Sequence, residues 1–133
     1  MRRQTLAILL ALGIVTSAAA ADSVAARREA IPARFVGLWS STLELCAKPE
    51  EDTTALKITP DSVLFWEDGG HALSVVTRGE SELVVVLEMG SEEQPSYLDA
   101  IRFVLSKDKS HLSIMTGLKV YSTRVRCPKN VPQ

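Results

Sequence analysis

Val63 to Met89 reads VLFWEDGGHALSVVTRGESELVVVLEM, three β-rich runs separated by two turns, and this punctuation decides the fold. Val63–Glu67, His71–Arg78 and Glu82–Met89 are rich in β-branched and aromatic residues, which suit a pleated, half-buried surface. Asp68-Gly69-Gly70 joins the first two as a hairpin signal, since glycine tolerates the positive φ such turns need. Arg78-Gly79-Glu80-Ser81 joins the next two. Neither link has room for a crossover helix, so neighbouring strands must run antiparallel.

Working outward, the same grammar continues on both sides. Upstream, Phe35 to Cys46 is read as a first strand with Trp39, Leu43 and Leu45 on one face. Ala47 to Thr54 (AKPEEDTT) is a polar loop, Leu56 and Ile58 mark a second strand, and Thr59-Pro60-Asp61-Ser62 is a turn with proline at its favoured position. Downstream, Gly90 to Ser96 is a loop. Tyr97 to Ser106 is a strand with Tyr97, Ile101, Phe103 and Leu105 on one face. Lys107 to Ser110 turns into His111–Thr116, and Gly117 separates that run from a last strand, Leu118–Cys127. No segment of helical length and period interrupts this series. The expected fold is therefore all-β: a small antiparallel up-and-down barrel of about eight strands, closed because closure removes exposed edges. A two-sheet sandwich is the alternative.

The first residues, MRRQTLAILLALGIVTSAAAA, have the layout of an export signal. Arg2 and Arg3 supply the charged start, Leu6 to Val15 the apolar core, and Ala18 to Ala21 a small-x-small cleavage site after Ala20 or Ala21. An apolar core this short does not span a bilayer, which takes about 20 residues. The expected organisation is a signal peptide over 1–20, an N-terminal arm over 21–34, a barrel domain over 35–127 and a fraying tail over 128–133. In the arm, Asp22 or Ser23 could cap a turn or two of helix that ends at Pro32. The protein is then expected in the periplasm or secreted, free of the membrane once the signal is removed.

Of the 15 basic residues, Arg2 and Arg3 lie in the leader, which leaves 13 against 16 acidic residues and a formal charge of −3. A nucleic-acid binder needs a basic face, and none is present. The two cysteines, Cys46 and Cys127, are an even pair in an exported chain and lack the close spacing of a redox or metal motif, so they read as one disulfide. A disulfide needs Cα atoms within about 7 Å. A Cys46–Cys127 bond would thus bring the first and last strands together, as a closed meander requires.

Gly37-Leu38-Trp39 fits the G-x-W pattern of the calycins, the lipocalin- and avidin-like barrels. The chain also resembles small uncharacterised periplasmic proteins with a G-x-W start and an Arg-x-Arg-Cys-Pro end, here Arg124 to Pro128. The calycin resemblance implies that Trp39 packs at the closed end, with an arginine from the last strand, Arg124 or Arg126, lying across it. It also implies room for an apolar ligand. Periplasmic protease inhibitors form small barrels with a similar first strand.

No catalytic motif stands out. Ser106 to Lys109 spells S-x-x-K, but in a turn rather than at a helix start; Asp68 and His71 are half of a triad without a nucleophile. His71, His111 and the cysteines have no zinc-ligand spacing. Neither cofactor nor metal is expected. The reading is a non-enzymatic, monomeric binding module for a small apolar or amphipathic ligand, with Trp39, Phe65, Trp66 and Arg124 as ligand-binding candidates. The alternative is an inhibitor or immunity-type protein that binds another protein through acidic loops, with Glu50, Glu51, Asp52, Glu92 and Glu93 as contact candidates.

Overall fold

The computed structural model describes residues 25–91 and 93–130; the export signal read over residues 1–20 lies outside them. Among the described residues there are nine strands: β1 (Ala25–Arg28), β2 (Gly37–Ser40), β3 (Leu56–Ile58), β4 (Ser62–Leu64), β5 (Gly69–Arg78), β6 (Glu82–Ser91), β7 (Gln94–Leu105), β8 (His111–Thr116) and β9 (Lys119–Arg126). Strands β2 to β9 each pair antiparallel with the next, and β9 pairs back onto β2 through Trp39 opposite Arg126 and Ser40 opposite Val125. The eight strands therefore close into a barrel, and β1 is an additional ninth strand. The sandwich is excluded because the ring of pairings has no break.

The arm does not form a helical turn over its described part. Ala25–Arg28 is strand β1, paired with Val75–Arg78 of β5, and Arg28 Nε donates to the buried Thr77 Oγ1 at 2.9 Å. Strand β5 serves two partners along one edge. Its first residues pair with β4, a bulge between Ala72 and Ser74 turns Leu73 outward, and its last residues pair with β1. A strand bends at such a bulge and its twist increases, which lets one long strand meet two short ones.

The first strand is also shorter than expected. It ends at Ser40, because the Ser41 amide donates to the Asp52 carboxylate at 2.9 Å instead of to a neighbouring strand. The chain then makes two short 3-10 turns, Leu45–Ala47 and Pro49–Glu51. Cys46 lies in the first of these, not in a strand, and Leu43 is exposed. Cys46 is bonded to Cys127, with Cα atoms 5.4 Å apart, and the Cys127 amide donates to Leu38 O. The disulfide thus fastens the β2–β3 loop onto the seam where first and last barrel strands meet.

The turn between β4 and β5 is Trp66-Glu67, flanked by Phe65 and Asp68, whose backbones are bonded N–H to O at 2.8 Å. Gly69 and Gly70 lie inside β5, and their role is close approach rather than turning. A Cβ on Gly70 would stand 2.7 Å from Met89 Sδ and 2.9 Å from Glu88 O.

Alternation puts Leu83, Val85, Leu87 and Met89 of β6 inside, facing Phe103 and Leu105 of β7 and Leu112 of β8. One end of the barrel is sealed. Phe35 and Trp39 are fully buried there, Trp39 Nε1 donates to Phe35 O at 2.9 Å, and the Arg126 guanidinium lies 4.1 Å from the Trp39 ring centroid. Arg126 also donates to the carbonyls of Val36, Arg34 and Lys109. Gly37, at φ 140°, leaves space for it: a Cβ there would meet Arg126 Nη1 at 3.4 Å. Burial pulls the Arg126 pKa downward, but three carbonyls and an aromatic face oppose that loss.

Candidate ligand site at the barrel mouth

The up-and-down order gathers four connections at the end away from Trp39: the β2–β3 loop and the turns β4–β5, β6–β7 and β8–β9. Between them opens a hollow of about 510 Å³, whose apolar lining includes Phe65, Ile101, Ile114 and Met115. Asp99, Ser122 and Arg124 add polar groups to the same wall.

Each of these groups is placed by strand register. Ser122 is opposite Ile114, and Arg124 is opposite the buried Leu112, so both belong to the inward register of β9. Arg124 Nε donates to Thr54 O at 2.8 Å and Nη1 to Thr123 O at 3.1 Å. This ties the mouth end of β9 to the β2–β3 loop. Ser122 Oγ is shielded from solvent and, among the described residues, is the buried side-chain oxygen left without a partner. Such a group costs about 1–3 kcal/mol until something bonds it. Asp99 lies opposite Leu87, in the same register as Tyr97, Ile101 and Phe103, but where the barrel has opened and the side chain is exposed. Partial desolvation, with the carboxylates of Asp68 and Asp99, raises the Tyr97 phenol above its ordinary pKa.

The β2–β3 wall of the mouth is held rigid by Asp52. Its Oδ2 accepts from Ser40 Oγ, from the Ser41 amide at 2.9 Å and from Ser41 Oγ at 3.3 Å. Oδ1 accepts from the Thr54 amide at 3.0 Å and Thr54 Oγ1 at 2.6 Å. Burial pushes the carboxyl pKa up, but the hydrogen bonds from Ser40, Thr54 and Ser41 outweigh it and hold the group well below the usual carboxylate range. Because Thr54 O is the acceptor for Arg124, the Asp52 cluster also sets where that guanidinium stands.

The four ligand candidates separate. Phe65 and Arg124 meet at the mouth hollow. Trp39 is fully buried at the opposite end. Trp66 is 48% exposed at the tip of the β4–β5 turn, where with Phe65 and Leu64 it borders a shallow open depression of about 780 Å³ on the outer wall. The acidic candidates do not form one surface either. Asp52 is only 2% exposed and faces inward to its hydroxyl and amide donors, while Glu51 pairs with Lys48 at 3.3 Å. Glu50 and Glu93 are exposed, and Glu92 lies outside the described residues. His111 bonds its neighbour Ser110, and His71 faces outward from β5. Among the described residues no three His, Cys, Asp or Glu side chains converge, and no helix is long and apolar enough to cross a membrane.

Ile101, Ile114, Ser122 and Asp99 belong to the hollow but were not among the candidates. For Asp99 a signal existed: it occupies the same alternating face as Tyr97, Ile101 and Phe103, an acid in an otherwise inward register. Ser122 shares its face with Arg124 and Arg126, which marks its side but not its missing partner. Comparison with protein-family models, with curated proteins and with solved structures gave no match to this chain.

Proposed function

We propose that this chain is an exported, calycin-like binding module that holds a small apolar or amphipathic ligand at the open end of its barrel, with no chemical step. The observation that carries the reading is the mouth hollow. An apolar floor of Phe65, Ile101 and Ile114 is overlooked by a guanidinium, a carboxylate and an unpartnered hydroxyl. Ligand sites combine apolar walls with a few placed polar groups in this way. The apolar part of the ligand lies on the floor, and its polar end meets Arg124. Export to the periplasm supports the reading through the leader and through the Cys46–Cys127 bond, which an oxidising compartment maintains.

The test is native mass spectrometry of protein exported with its own leader from a Gram-negative host, paired with titration of 1-anilinonaphthalene-8-sulfonate. The expected result is a monomer carrying a small molecule, or a monomer that binds the dye in the ratio of one to one and loses it in Ile114→Trp, which fills the hollow. An apo monomer whose dye response is the same in Ile114→Trp overturns the proposal.

A further inference from the structure

Strand β7 is twice as long as its neighbour on one side, and the mismatch leaves part of its edge without a partner strand. Strand β7 runs for 12 residues and β8 for 6, and β8 pairs only with Arg102–Leu105. From Gln94 to Ile101, β7 is bonded to β6 alone among the described residues. The direction of its free groups follows from two bonds. Leu105 N–H points toward β6, because it donates to Ser81 O at 2.7 Å. Backbone groups alternate along a strand, so the odd residues face β6, and the N–H and C=O of Leu98 and Ala100 face outward.

Ala100 confirms the outward direction by its partner. Its amide donates to Asp99 Oδ1 at 2.8 Å, a side chain of its own strand. Charged residues on an edge guard it against indiscriminate pairing, and Asp99 does so here by occupying a backbone donor. The Leu98 side chain beside it is 69% exposed, Tyr121 is 76% exposed, and the mouth hollow begins at Asp99, Ala100 and Ile101.

We infer that the free edge of β7 at Leu98–Ala100 is a docking site for an extended, basic and apolar polypeptide segment of a partner protein, added as a strand. Outward N–H and C=O groups two residues apart, about 6.8 Å, match the repeat of an extended backbone. A carbonyl of the incoming strand takes the Ala100 amide, and the displaced Asp99 carboxylate is then free to pair with a lysine or arginine of that strand. The basic side chains of the segment face Asp99 at the rim of the hollow, and its apolar side chains, on the other face of the strand, lie on Leu98. A second copy of this chain is disfavoured, because two such edges meeting antiparallel oppose Asp99 to Asp99. The described termini do not reach the edge either, since Ala25 is opposite Arg78 and Pro128 follows Arg126, both at the sealed end. The inference does not rest on a small ligand occupying the hollow.

The probe is a blocked octapeptide of alternating lysine and valine. It is compared with its glutamate–valine counterpart and with a lysine–valine peptide N-methylated on alternate residues, all followed by fluorescence anisotropy. The lysine peptide is expected to bind at least tenfold more tightly than either comparison peptide. Leu98→Pro removes an outward N–H and no bond to β6, and proline is tolerated at such a position. It should abolish binding while leaving circular dichroism and the melting temperature near wild type. Asp99→Lys, which keeps the backbone intact, should invert the preference toward the glutamate peptide and keeps the test valid if the proline variant misfolds. Equal binding of the N-methylated peptide, or no binding of any peptide, overturns the inference. So does a concentration-dependent dimer in sedimentation that Leu98→Pro dissolves, which would assign the edge to a second copy.

Discussion

Replacing Asp52 by asparagine changes one oxygen into an NH₂ and should destabilise the whole barrel. Both carboxylate oxygens are occupied by donors: Oδ2 by the Ser41 amide and two serine hydroxyls, Oδ1 by the Thr54 amide and hydroxyl. The hydroxyls can rotate to become acceptors, but the two backbone amides cannot. Whichever way the asparagine amide turns, its NH₂ confronts either Ser41 N–H or Thr54 N–H, and one backbone donor in a buried site loses its partner. That loss costs about 1–3 kcal/mol, and the surviving bonds lose the extra strength they had with a charged acceptor, so the expected total is about 2–4 kcal/mol. For a domain whose net stability is about 5–15 kcal/mol this is a large fraction. The effect should also depend on pH. The folded pKa of Asp52 is depressed, so its contribution is fully present above the unfolded value of about 3.9 and fades as pH falls below it toward the folded value. Urea denaturation of wild type and Asp52→Asn at pH 7 and at pH 2.5 measures both parts. A difference near 2–4 kcal/mol at neutral pH that narrows in acid is expected. A difference below about 0.5 kcal/mol at pH 7, or one that does not change with pH, would refute the assignment of Asp52 as the ionised anchor of the loop.

Arg126→Ala should cost about 2–4 kcal/mol, from three carbonyl bonds and the stacking on Trp39, and Arg126→Lys should recover less than half, because a point ammonium cannot serve three acceptors and a ring together. Chemical denaturation followed by tryptophan emission reads both, and a lysine variant as stable as wild type contradicts the geometry. Gly70→Val should destabilise by at least about 1–3 kcal/mol, since the nearest obstacles include the Glu88 carbonyl, which cannot step aside; thermal melting decides, and a neutral result shows that β5 and β6 can separate. Cys46→Ser with Cys127→Ser should lower stability by about 2–4 kcal/mol and speed amide exchange in the β2–β3 loop before the strands. If both thiols alkylate in the unreduced protein, the bond is absent and that expectation fails.

What was readable from the residues was whatever depended on local rules. Alternation and turn chemistry placed the strands from Val63 onward to within a few residues, and strand count with short links implied closure. The failures share one cause, which is tertiary contact with groups distant in sequence. Phe35 to Cys46 alternates well enough for a strand, but the Ser41 amide goes to a carboxylate 11 residues away. Asp52 belongs to the acidic run Glu50-Glu51-Asp52, and nothing in that run distinguishes the one carboxylate that turns inward. Gly69-Gly70 looked like a turn because glycine is common there. Its actual constraint, the approach of Met89 from β6, is a tertiary fact. Strand β1 was hidden for a similar reason: AARR has little strand propensity, and it is held by the half of β5 that β4 is too short to cover.

The same mismatch of strand lengths explains why the two ends of the barrel differ. At the sealed end the start of β2 meets the end of β9, where Trp39 Nε1 bonds Phe35 O and Arg126 stacks on Trp39 while donating to the carbonyls of Arg34, Val36 and Lys109. At the mouth the strands stop at different heights: β8 ends at Thr116, whereas the β6–β7 hairpin continues to Ser91 and Gln94. A closed barrel abolishes edges only as far up as its shortest neighbouring strands reach. Above that level the inward register no longer faces a core, so Asp99 and Tyr97 are exposed on the face that buries Phe103 and Leu105 lower down. Apolar surface, an unpartnered hydroxyl and free backbone groups collect at the mouth as a direct result of this stagger. Extending β8 and β9 far enough to pair with Leu98–Ala100 should therefore stabilise the fold and close the proposed docking edge together, because both follow from the same stagger.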